Sequence, residues 1–111
     1  MDIDCRTEDD VLILTPQGER LDANCTVAFK ERVHALTAGH PDRVMIDMGA
    51  VQFLDSSGLG ALVAVMKGLG QGRRLELANC ADSVTRVLAL TRMDRVFVMH
   101  DDATPSRGNA A

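Results

Sequence analysis

The sequence predicts an α/β domain built on a mixed sheet of about five strands flanked by three or more helices. Apolar runs of strand length alternate with segments of helical spacing, in the order strand, strand, helix, strand, helix, strand, helix, strand. Gly, Pro, Asn or Asp marks nearly every junction between them. The 111 residues are enough for one modest core, and no linker or internal repeat divides them.

Met1 to Thr7 is read as a short first strand, followed by a polar turn at Glu8-Asp9-Asp10. Val11-Leu12-Ile13-Leu14-Thr15 is a strong β-run closed by Pro16 and Gly18, near enough to the first strand to pair with it as an antiparallel hairpin. Leu21-Asp22-Ala23-Asn24 reads as the start of a helix, with Asp22 or Asn24 as its cap. Val27, Phe29, Val33 and Leu36 then recur at roughly helical spacing up to Gly39, a natural stop. His40-Pro41-Asp42 is a turn and Arg43 to Met48 a buried strand. Gly49 to Leu54 connects it to a second helix from about Ser57 to Leu69, which ends in Gly70-Gln71-Gly72. Leu75 and Leu77 alternate with Arg74 and Glu76 in a further strand stopped by Asn79. Asp82 or Ser83 caps a third helix carrying Val84, Val87 and Leu88, and Val96-Phe97-Val98-Met99 is the last strand. The domain is expected to span 1–100. Residues 101–111 have little to bury and are expected to form a mobile tail.

Composition narrows the function. The net charge is −4, and the aromatics are three Phe with no Trp or Tyr. A phosphate-backbone binder or a base-stacking surface is therefore not expected, and nucleic acid is an unpromising partner. Cys5, Cys25 and Cys80 make no C-x-x-C pair, and His34, His40 and His100 are scattered, so neither a disulfide framework nor a zinc site is suggested. No signal-peptide pattern opens the chain and no apolar run is long enough to cross a bilayer. The expectation is a cytoplasmic protein with free thiols.

One segment stands out. In Gln52-Phe53-Leu54-Asp55-Ser56-Ser57-Gly58-Leu59-Gly60-Ala61-Leu62, a carboxylate and two hydroxyls sit where an apolar strand hands over to an amphipathic helix. Leu59, Leu62, Val63, Met66 and Leu69 follow at helical spacing. Asp and Ser are good N-caps, because their oxygens accept from unpaired N–H groups of the first turn. The same place sets a serine hydroxyl beside the positive end of the helix dipole, where a phosphate is stabilised. Gly58 and Gly60 are poor helix formers, and their small size is read as room for a close approach. The segment does not fit the hydrolase elbow G-x-S-x-G, no histidine is evidently paired with either serine, and there is no P-loop. Asp22 and Asn24 are expected on the same sheet edge as Ser56, where loops after parallel strands gather. Asp47 is read as structural, and Arg73, Arg74, Arg92 and Arg95 as ordinary solvated surface.

From about Ile3 to His100 the pattern resembles the STAS domain, named for sulfate transporters and anti-sigma-factor antagonists. The landmarks are Gly18 through Leu21-Asp22, the strand Arg43–Met48, Phe53-Leu54-Asp55-Ser56-Ser57-Gly58-Leu59-Gly60, and the Leu75–Asn79 strand followed by a helix. The D-S-S-G-L-G segment looks most like the stand-alone bacterial antagonists. That resemblance implies a binding module and not an enzyme. Its partners would be an anti-sigma factor that is also a serine kinase, and a phosphoserine phosphatase. Ser56 would be the phosphoacceptor; unphosphorylated, the chain would hold the anti-sigma factor and free the sigma factor. Asp55 would orient the Ser56 hydroxyl or help the kinase recognise it, and Ser57 would cap the helix. Gly58 and Gly60 would allow close approach, and Asp22, Asn24 and Leu59 would contact the partner. No bound cofactor is implied. Two other roles within the resemblance are a regulatory subunit of a membrane lipid-transport complex and a nucleotide-sensing module of a signalling assembly. The family often reads Gly-x-Leu-Asp before the first helix, whereas Gly18-Glu19-Arg20-Leu21-Asp22 is one residue longer.

Overall fold

The computed structural model describes residues 1–39, 43–70 and 73–103. The order is β1 (Ile3–Glu8), β2 (Val11–Pro16), β3 (Arg20–Leu21), α1 (Thr26–Thr37), β4 (Arg43–Asp47), β5 (Phe53–Leu54), α2 (Ser56–Gly68), β6 (Glu76–Ala78), α3 (Asp82–Leu90) and β7 (Val98–His100). A single 3₁₀ turn at Met93–Arg95 precedes β7. The expected turn at His40-Pro41-Asp42 and the glycine stop at Gln71-Gly72 fall outside the described residues.

The main sheet has five strands in the order β1-β2-β4-β6-β7. β1 and β2 form the expected antiparallel hairpin, and every other pair is parallel. The hairpin turns through Asp9 and Asp10, both at positive φ (50° and 66°), a conformation that Asp tolerates better than most residues. From β2 onward each crossover steps one strand further in the same direction. Because such crossovers are right-handed, a constant step direction puts all three helices on one face. The burial agrees: Leu12, Leu14, Val44, Ile46 and Leu77 share one core with Phe29 and Val33 of α1, Leu62 of α2, and Val84 and Leu88 of α3.

The opposite face carries no helix among the described residues. The alternate strand positions Val11, Ile13, Met45 and Ala78 form a second small core there, closed by Ala103. Ala103 is 7% exposed, and its carbonyl accepts from Arg6 Nη2 at 3.3 Å. The packed fold thus runs through Ala103, three residues past the expected boundary, and 104–111 lie outside the described residues.

Glu76 keeps the alternation expected for its strand but is not a surface residue. It points to the helix-free face but is only 5% exposed. Arg43 donates to it through Nε (2.7 Å) and Nη2 (2.5 Å), and His100 Nε2 lies 2.7 Å from Oε1. Burial alone would raise the Glu76 pKa. The hydrogen bonds from Arg43 and His100, with the Arg43 charge, outweigh that and hold it below its ordinary value. Arg74 is likewise not ordinary surface: its guanidinium clamps the carbonyls of Arg95, Val96 and Phe97 ahead of β7. Asp47 is structural as expected, accepting from Gly49 N–H and Asn79 Nδ2.

Candidate functional site

Two of the sheet's crossovers are stitched together before their helices begin. β3 and β5 pair in parallel outside the main sheet, with Arg20 opposite Phe53 and Leu21 opposite Leu54. The next residues, Asp22 and Asp55, leave this short ladder side by side, and Asp55 N–H reaches the Leu21 carbonyl at 3.5 Å. This places the turn containing Asp22 and Asn24 beside the start of α2, on the edge where the sequence sets them.

Asp55 is the N-cap of α2. Its backbone is extended, and Oδ1 accepts from Gly58 N–H at 2.8 Å. The cap therefore belongs to Asp55 rather than Ser57, because only the residue before the first helical turn can aim its side chain back at the third N–H. Ser56 and Ser57 occupy the first two helical positions and are exposed. The Ser56 hydroxyl thus stands in solvent at the positive end of a 13-residue helix, next to a carboxylate already seated there.

The two glycines separate. Gly58 is buried, and a Cβ placed on it would lie 2.0 Å from the Leu21 carbonyl oxygen and 2.7 Å from Leu54 Cδ1. Its small size is demanded by the chain's own β3, not by a visitor. Gly60 is exposed and a Cβ there would meet nothing within 4 Å, so it stays available for an outside contact. Leu59 is half-buried and packs against the main core.

Asp22 and Asn24 do not cap α1. That helix starts at Thr26 with Cys25 before it and no side-chain cap. Asp22 instead folds the turn: Oδ1 accepts from Asn24 N–H (3.0 Å), Oδ2 from Arg20 Nε (3.1 Å), and its carbonyl accepts from Cys25 and Thr26 N–H. The segment from Gly18 to Asp22 contains the two-residue strand β3. Asn24 is exposed beside it. Neither Asp82 nor Ser83 caps α3; Ser83 Oγ donates to the Gln52 carbonyl at 2.7 Å and so fastens α3 to the segment before the motif.

Phe53 and Arg20 join the site without having been singled out from the sequence. Phe53 is 41% exposed, and the Arg20 guanidinium lies 4.2 Å above its ring centre. Both border a shallow cleft of about 650 Å³ that also contains Asp22, Asn24 and Cys25. The clue available was an aromatic residue two places before the capping aspartate in a chain with so few aromatics. Among the described residues no three His, Cys, Asp or Glu side chains cluster as a metal site, and no helix is long and apolar enough to cross a membrane.

The STAS domain family model matches residues 2–105. This chain belongs to the STAS domain family. The anti-sigma-F factor antagonist RsfB of Mycobacterium tuberculosis is 30% identical over 102 residues, 88% of this STAS chain and 83% of RsfB. The crystal structure of an anti-sigma factor antagonist from Mycobacterium paratuberculosis superposes with a TM-score of 0.79 at 26% identity, covering 98% of this chain and 89% of that one. Unphosphorylated SpoIIAA, an anti-sigma factor antagonist, has the same STAS fold, with a TM-score of 0.69 at 18% identity over 90% of this chain and 89% of its own.

Proposed function

We propose that this STAS domain is an anti-sigma-factor antagonist switched by phosphorylation of Ser56. In the unphosphorylated form it binds an anti-sigma factor that is also a serine kinase, in the cytoplasm, and so releases a sigma factor. A phosphoserine phosphatase reverses the switch. The chain is a substrate of the kinase and not itself an enzyme, and ATP and Mg²⁺ belong to the kinase. The relatives named as antagonists support the reading, and RsfB matches through most of its length.

The observation that carries the proposal is the exposed Ser56 hydroxyl at the first position of α2, with Asp55 already holding the cap. A kinase can reach this hydroxyl without unfolding the helix. The phosphate formed there adds about −1.5 to −2 charges. The helix dipole tolerates it, yet the face that must dock already carries Asp55 and, across the β3–β5 ladder, Asp22. Added charge at a desolvated interface repels like charges and must also be stripped of water, so the complex comes apart.

Reconstitution with the cognate kinase and ATP, followed by mass mapping, tests the assignment. One phosphate is expected, on Ser56. Ser56→Ala should abolish it, keep the fold because Asp55 still caps, and bind the anti-sigma factor as tightly as wild type. Ser56→Asp should weaken binding by about 1–3 kcal/mol. Phosphate found mainly on Ser57, or equal affinity for the alanine and aspartate variants, would overturn the reading.

A further inference from the structure

The groove between α1 and α2 opens at the other end of α2 from Ser56, about 18 Å away at the helical rise of 1.5 Å per residue. Two adjoining cavities of about 250 and 340 Å³ lie along it and share His34, Thr37 and Gly68. We propose that this groove binds a small carboxylate with an apolar tail, the tail lying over Ala64, Val65 and Gly68 and the carboxylate meeting Arg73 and His34.

Gly68 is the first argument. It occupies the last turn of α2, its φ is not left-handed, and a Cβ there would meet nothing within 4 Å. Neither backbone nor crowding requires glycine at this place, and glycine is a poor helix former. What it provides is an open floor between the two cavities. Val65 and Ala64, on the same wall, make the first cavity mainly apolar.

Arg73 is the second argument, independent of the first. It lines the second cavity, and its Nη1 donates to the Leu69 carbonyl at 3.3 Å. Its Nη2 is buried and has no hydrogen-bond partner among the described residues. A buried charged donor left unpaired is unfavourable, and such groups are rare in folded proteins. Arg73 borders the second cavity, where a carboxylate would accept from its guanidinium in a charge-assisted bond. The carbonyl ends of α1 and α2 also face this region and favour cations. Arg73 offsets them, and among the groove's lining residues Lys30 and Arg73 outnumber the single carboxylate, Glu31. An apolar wall leading to an unsatisfied cation is the complement of an aliphatic carboxylate.

Titration of the full chain with octanoate, followed by amide NMR and thermal shift, tests the proposal, with octanol as the uncharged control. Octanoate should give saturable shifts at His34, Ala64 and Gly68 and raise the melting temperature, and octanol should bind about tenfold more weakly. Gly68→Leu, which fills open space, should abolish octanoate binding while the fold is retained. Arg73→Gln should weaken octanoate about tenfold and leave octanol unchanged. Non-saturable shifts, equal binding of octanoate and octanol, or undiminished binding by Gly68→Leu would each overturn it. The readout does not involve Ser56, so the outcome is independent of the phosphorylation switch.

Discussion

Gly58 and Gly60 differ by one pair of positions in α2 yet answer to different neighbours. At Gly58, an added methyl meets the Leu21 carbonyl at 2.0 Å, a backbone atom that cannot swing aside. Gly58→Ala should therefore lose about 1–3 kcal/mol through overpacking, read as a lower melting temperature. Gly60→Ala meets nothing, and should leave stability unchanged or raise it by up to about 1 kcal/mol. Its effect should appear in partner affinity, and a loss there with an intact melting curve would place the partner against this helix turn. The thiols also separate by environment. Burial, then the Asp47 charge, raises Cys80 to about 11, so it stays protonated at neutral pH, whereas Cys5 is exposed. Iodoacetamide at neutral pH should label Cys5 first; Cys80 labelled as fast in the folded chain would contradict its packing.

The β3–β5 ladder shows how a four-residue pairing organises a whole surface. It holds Asp22 next to Asp55, presents Phe53 under Arg20, and forces glycine at 58. The central strands carry a different device, the buried Glu76 carboxylate between Arg43 and His100. Its folded pKa lies below the ordinary 4.5, so the unfolded chain takes up the proton first as pH falls. The stability from this group is fully present above about pH 5 and is lost as pH drops through the folded value. Glu76→Gln should cost about 1–3 kcal/mol at neutral pH by leaving the Arg43 guanidinium facing a neutral amide. The same variant should show a shallower fall in stability between pH 5 and 3 than wild type, measured by urea titration. Parallel slopes for the two proteins in that range would remove Glu76 as the source.

At the scale of the molecule, the helices cover one face of the sheet, and Ala103 helps close the other. Val11, Ile13 and Met45 are fully buried there, with no helix over them among the described residues. Ala103→Asp would set a charge against that apolar cluster, and should destabilise the fold by about 1–3 kcal/mol, or roughly 4–8 °C in melting temperature per kcal/mol. An unchanged melting temperature would mean that the strands' long neighbouring side chains shield this face unaided. The groove at the C-terminal end of α1 and α2 lies on the helical side, at the opposite end of α2 from Ser56. The molecule therefore carries its two candidate sites at the two ends of one helix.

The order of strands and helices, the hairpin, and the D-S-S-G motif at a helix start were legible in the sequence because each is a local pattern. Periodicity, turn residues and capping chemistry depend on residues within a few places of each other. The shared edge of Asp22 and Ser56 was also legible, since parallel crossovers force it. What each motif residue does there was not. Capping geometry excluded Ser57 in favour of Asp55, and contact with β3, 37 residues earlier in the chain at Leu21, made Gly58 internal. The Glu76 pair with Arg43, the docking of Ala103 on the far face and the orphaned nitrogen of Arg73 likewise depend on residues brought together only by folding. A two-residue strand such as β3 or β5 has no periodicity to read; it exists because the partner segment is delivered beside it. Local chemistry set the elements and the motif, and packing between distant segments decided which of the motif's atoms face solvent.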